Sequence, residues 1–242
     1  MTGAAPVAAI VPLFNGRRFV RAAIDSILAQ EPAPREVVVV DDGSTDGGGE
    51  LLAGRPGVRV IRQANAGEAA ARNRGIREST EPLIAFLDQD DLWLPRKLAL
   101  QVPALEADPS IDIVFAQHRL IVEDAARWFR QDALGQVLTA EVPGSTIVRR
   151  RAFERIGLYR EDMRLGSDVD WILRAQDAGM KTRLVEEVLL LRRMHGANSS
   201  RDGERFMGEL LRAARASVRR KRSDAGTGST DDAGLTSPAE SG

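Results

Sequence analysis

The stretch Leu83-Ile84-Ala85-Phe86-Leu87-Asp88-Gln89-Asp90-Asp91-Leu92-Trp93 is an apolar run that ends abruptly in three carboxylates. Five consecutive apolar residues suit a strand buried on both faces, and in open α/β sheets ligands collect beyond the carboxyl ends of such strands. Asp88, Asp90 and Asp91 therefore belong at a mouth. Carboxylates this close repel one another unless a cation or hydrogen-bond donors compensate, and hard oxygen ligands suit Mg²⁺ or Mn²⁺. The alternative is a solvated acidic turn capping a helix that begins near Pro95.

Outward from this strand the pattern alternates. Val7 to Leu13, Val37 to Val40, Val58 to Ile61 and Ile111 to Ala116 read as strands, and helical spacing marks Phe19 to Leu28, Glu68 to Glu78 and about Pro95 to Glu106. Such alternation predicts an α/β fold with a largely parallel central sheet and helices on both faces. Between Gln117 and Val142 the pattern loosens around Trp128 and Phe129, as in a lobe insertion or a substrate loop. Gly144 to Val148 reads as a strand, Arg150 to Ile156 as a short helix, Val169 to Asp177 as an amphipathic helix and Val185 to Met194 as a strand.

A basic helix is expected over Glu204 to Arg222. Its apolar face is thin, so packing or solvation is favoured over membrane contact. From Ser223 onward Gly, Ser, Thr and Asp dominate, which predicts a disordered tail.

Composition excludes several classes. A net charge of -1 over 242 residues argues against nucleic-acid binding by phosphate neutralisation, and the absence of cysteine rules out disulfides, thiol nucleophiles and thiolate metal sites. No run is long enough to span a bilayer and the first residues lack a secretory pattern, so a soluble cytoplasmic protein is expected.

The strand Val37 to Val40 also ends in acid, at Asp41-Asp42, about 46 residues before Asp88. Two acidic strand ends on nearby parallel strands suit a metal held together with the phosphates of a nucleotide. The loop after the first strand, Pro12-Leu13-Phe14-Asn15-Gly16, lacks the Gly-x-Gly-x-x-Gly of a dinucleotide fold.

Ile10 to Asn15, Ser26 to Gln30, Val38 to Asp46, Asn65-Ala66-Gly67, Ala71 to Gly75 and Phe86 to Asp91 follow one another in the order seen in the family 2 glycosyltransferases, inverting enzymes of the GT-A fold. The chain resembles that family over roughly residues 7 to 200. The resemblance implies a nucleotide-binding part over about 7 to 117 and an acceptor part over about 118 to 200. It also implies a nucleotide-diphospho-sugar donor, and an acceptor that is a glycan, lipid carrier, peptide or small molecule. It assigns Pro12 and Phe14 to the nucleotide-side loop and makes Asp42 the partner of the base, through a uracil-type N3–H that a carboxylate can accept. Arg72 would help to bind the nucleotide, unless it is an ordinary helix-surface arginine, and Asp88 would lie near the ribose. Asp90 of the Asp-x-Asp motif would hold Mg²⁺ or Mn²⁺, with Asp91 as an alternative ligand. His195 would reach the metal or diphosphate, unless it is a solvated loop histidine.

Inverting transfer needs a base. The family supplies it from a Glu-Asp pair that reads Ser167-Asp168 here, so Asp168 matches, with Asp170 close enough to compete. Both would also serve as acidic helix-start residues. Two rival functions remain open: a sugar-nucleotide binding protein that has lost its base, motivated by Ser167, and a nucleotidyltransferase.

Overall fold

β1 (Ala5–Leu13), β2 (Pro34–Asp41), β3 (Arg59–Arg62) and β4 (Leu83–Phe86) are short apolar runs. In the computed structural model, which describes residues 3–122, 135–196 and 202–227, they pair in the order β3-β2-β1-β4, all parallel. β8 (Thr146–Arg149) runs antiparallel between β4 and β6 (Ile111–Val122). β9 (Lys181–Met194) then lies parallel to β6, and the two-residue β5 (Leu92–Trp93) closes the edge against β9. β7 (Val137–Leu138) pairs with the far end of β6.

Alternation along β1 explains the layers. Val7, Ala9, Val11 and Leu13 enter one core with α1 (Val20–Leu28) and α3 (Lys97–Glu106), whereas Ala8 and Ile10 enter the other with α2 (Glu68–Glu78), α4 (Arg150–Ile156) and α5 (Ser167–Asp177). α2 lies very close to the sheet: a Cβ built on Gly75 would stand 2.3 Å from Ile10 Cγ2. Glycine at 75 is thus a packing requirement. Pro12 is tolerated inside β1 because β4 stops pairing at Ile10↔Phe86, so no ladder bond is lost on that side.

Three boundaries differ most from the sequence expectation. β6 continues past Ala116 to Val122 and β9 begins at Lys181, because the two pair over that whole length and each supplies the order the other's local pattern lacks. α6 (Gly203–Thr227) runs on beyond Arg222, packed along α5, so the expected disordered tail does not begin at Ser223. Trp128, Phe129 and the rest of the tail lie outside the described residues. Among the described residues, no helix is long and apolar enough to cross a membrane.

Candidate active site

Loops after β1, β2 and β4 are bolted together at one end of the sheet. Gln89 accepts from Phe14 N–H (2.8 Å) and donates back to Phe14 C=O (3.1 Å), while Asn15 N–H donates to Ser44 Oγ (3.0 Å) and Thr45 N–H to Asn15 Oδ1 (2.8 Å). Phe14 stays 46% exposed. Asp41 is buried and accepts from Ser44 N–H at 2.8 Å. Asp42 accepts three bonds, from Gln63 Nε2 (2.8 Å), Ala66 N–H (2.9 Å) and Gly67 N–H (2.8 Å), and so fixes the entry to α2. A carboxylate has about four lone-pair sites, so one remains for an outside donor.

The close approach of α2 brings Arg72 to the end of β4. Its Nη2 donates to Asp88 Oδ1 at 2.7 Å and pairs with Glu68, one turn back on the helix. The guanidinium lies 5.8 Å from the centroid of Tyr159. That ring is held in turn by edge-on contact with Phe86 and tilted contacts with Phe153 and Trp171. Arg72 Nε is buried with no hydrogen-bond partner among the described residues. Burial disfavours the guanidinium charge, but Glu68 and Asp88 outweigh it and hold Arg72 above its ordinary pKa.

Carboxylates outnumber that one arginine. Burial, opposed by Arg72 and reinforced by Asp88, Asp168 and Asp90, pushes Glu68 up to about 7, although its side chain is 38% exposed and water screens part of this effect. Asp90 is raised by burial and by Asp88, with His195 opposing. Asp168 is raised by burial against the pull of Arg72.

Pairing of β5 with β9 carries the C-terminal end of β9 to the acidic loop. His195 Nε2 comes within 2.9 Å of Asp90 Oδ2, its ring packed on Phe19 at 4.7 Å. Asp91, by contrast, turns into the fold: its Oδ1 accepts from Arg193 N–H at 2.8 Å, and Arg193 Nε donates to Asp90 C=O at 2.8 Å. Among the described residues no group of three His, Asp or Glu is arranged to hold an ion unaided. Asp90 nevertheless fits Mg²⁺ or Mn²⁺ bound through one carboxylate plus substrate phosphates, the usual habit of Mg²⁺, with His195 a softer nitrogen neighbour at 2.9 Å.

Asp168 and Asp170 diverge. Asp168, half-buried, accepts Val169 N–H (2.8 Å) and, among the described residues, no other hydrogen bond; it feels the charges of Arg72 and Asp88. Asp170 is 1% exposed and takes Arg174 Nε at 2.8 Å, while the same guanidinium donates to Ile156 C=O (2.6 Å) and Leu158 C=O (2.8 Å). Sequence analysis missed Glu68 and Tyr159. The Glu68–Arg72 spacing of one helical turn was a usable signal for the first, but nothing local marks Tyr159.

A parallel sheet with an acidic mouth, joined to a second half that supplies a facing carboxylate, defines a GT-A nucleotide-sugar transferase fold. Solved structures with this architecture include TarS 1-349 of S. aureus in complex with UDP-GlcNAc (TM-score 0.70, 18% identity, 88% of this chain and 66% of that one). Another is the mannosyltransferase PcManGT of Pyrobaculum calidifontis in complex with GDP-Man and Mn²⁺ (TM-score 0.68, 22% identity, 90% and 65%).

Residues 8–165 match the family model described as glycosyl transferase family 2, and the chain belongs to that family. Relatives include an uncharacterized glycosyltransferase of Rickettsia felis (30% identical, 81% of this chain and 35% of the relative). The succinoglycan biosynthesis protein ExoU of Rhizobium meliloti is 33% identical over 76% of this chain and 61% of its own length. The chain spans 37% and 35% of two curated relatives, from Nostoc and Rickettsia felis.

Proposed function

We propose that the protein is a glycosyltransferase that moves a sugar, with inversion, from a UDP- or dTDP-sugar to an acceptor hydroxyl. The carrying observation is the convergence on the buried Arg72 of Asp88, from the parallel half and beside Asp90, with Asp168, from the other half. Asp42, with its one free acceptor position, takes the N3–H of the base; Pro12 and Phe14 form the nucleotide-side wall, Asp88 faces the ribose and Arg72 compensates charge. Asp90, with His195 beside it, would hold a divalent ion, and Asp91 serves to fix β9 behind them. When bound, the metal offsets the charge of the departing diphosphate.

Asp168 accepts the proton of the acceptor hydroxyl as its oxygen bonds to the anomeric carbon. The bond from that carbon to the phosphate oxygen breaks, and its electron pair leaves with the nucleoside diphosphate. The raised pKa of Asp168 brings it closer to working pH, which suits a general base. Asp170, consumed by Arg174, has no part in the step.

A screen of UDP-, dTDP- and GDP-sugars with Mn²⁺ or Mg²⁺ and cell-derived acceptors should give nucleoside diphosphate release that Asp168→Asn abolishes at unchanged UDP affinity. Asp90→Asn should remove the metal dependence of that affinity. Release of pyrophosphate instead would support a nucleotidyltransferase. Donor binding without turnover would support a binding protein.

A further inference from the structure

Glu209, in the second turn of α6, reaches across to the segment that leads into α5. Its Oε1 accepts from Arg164 N–H (3.1 Å) and its Oε2 from Leu165 N–H (2.8 Å) and Gly166 N–H (2.9 Å). Three successive amides converging on one carboxylate form an anion-binding nest, here filled by the chain's own side chain. Burial opposes the charge, yet the three amides prevail and hold the Glu209 carboxyl below its ordinary pKa. Gly166 permits the approach: a Cβ there would stand 3.1 Å from Glu209 Cβ and 3.3 Å from the end of Met163. One turn of chain later, Asp170 N–H donates to Gly166 C=O (3.0 Å), so the amide group that Glu209 grips adjoins the carbonyl that starts α5. The far end of α5 is tied to the same helix, with Asp177 accepting from Ser217 Oγ (2.8 Å) and Arg220 Nε (2.7 Å).

We infer that Glu209 is a positioning residue: by pinning the amides of residues 164 to 166 it holds the first turn of α5, and with it Asp168, against the cleft. This rests on the proposed role of Asp168 as base. The basic helix at the C-terminus then belongs to the catalytic apparatus, although none of its own side chains touches the reacting atoms.

Hydrogen exchange on the full chain tests this. Glu209→Ala should speed exchange in the peptide covering 163 to 171 at least tenfold and leave the peptide covering 83 to 93 unchanged. UDP affinity by calorimetry should stay within twofold. Where UDP- or dTDP-sugars are turned over, kcat should fall at least tenfold at unchanged donor KM. Glu209→Gln, which keeps one acceptor oxygen, should lie between. Unchanged exchange at 163 to 171 would overturn the inference. So would a general rise in exchange with a matching loss of UDP affinity, because Glu209 would then be a global stabiliser. The Asp168 assignment is separated by Asp168→Asn: transfer retained there sinks the base, whereas a dead Asp168→Asn beside a fully active Glu209→Ala sinks only the positioning role.

Discussion

Arg72 and Arg174 carry the same local signature, a carboxylate one helical turn earlier, yet they do opposite work. Arg174 in the second half spends its guanidinium on Asp170 and on the carbonyls of Ile156 and Leu158, neutral acceptors that leave its charges balanced. Arg72 in the first half is surrounded by Glu68, Asp88 and, at longer range, Asp168, with its Nε unmatched. One is a clamp between α5 and the loop before it. The other sits in an excess of negative charge, which a bound cation would offset. An Asp/Glu-x-x-x-Arg pair thus reports a helix and says nothing of its use; the third and fourth partners decide that.

The sharpest way to break the comparison is to truncate each arginine. Arg174→Ala leaves a buried, uncompensated Asp170 and should cost about 3 to 5 kcal/mol in urea unfolding, with UDP affinity of the folded fraction unchanged. Arg72→Ala should cost less, because Glu68 and Asp88 are partly solvated, but should lower UDP affinity by at least tenfold. Equal behaviour of the two variants in both assays would dissolve the distinction.

Gly75→Ala probes what brings Arg72 to the cleft. Its Cβ would press into Ile10, a strain of about 1 to 3 kcal/mol by overpacking, and donor affinity should fall with it as α2 is pushed off the sheet. Gln89→Ala is milder: two hydrogen bonds to Phe14 are lost at a partly solvated site, about 1 kcal/mol in thermal or chemical unfolding.

The smallest effect is on pH dependence. The Glu68 carboxyl is raised from 4.5 to about 7 in the folded protein, so between those values the folded state binds more proton than the unfolded state. Its contribution is full below about pH 4.5 and is lost as pH rises through 7. Glu68→Gln should therefore flatten the decline of stability over that window, measured as urea midpoints at a series of pH values. An unaltered slope would mean that solvent at the exposed side of Glu68 screens the effect away.

Much of the first half could be read from sequence because its information is local. Buried strands show as runs such as Val37 to Val40, and the Ala-rich pattern of α2 with Gly75 is consecutive. Their acidic ends fall at the mouth by topology alone. β5 could not be read, since two residues carry no periodicity. The ordered length of β6 beyond Ala116 was invisible for the reason that its partner lies in β9, some 70 residues away.

What the sequence alone determined is the α/β class, the strands that lead into Asp42 and Asp88, and the shortlist of carboxylates, because strand burial and chain reversal are written in neighbouring residues. Only the tertiary structure decided the rest: that Asp90 faces His195 while Asp91 faces β9, that Asp168 comes within reach of the charges of Arg72 and Asp88 while Asp170 is spent on Arg174, and that Glu209 grips the start of α5. The physical reason is the same in each case. A side chain's role is set by which donors and charges surround it, and here those partners arrive from strands and helices distant in sequence.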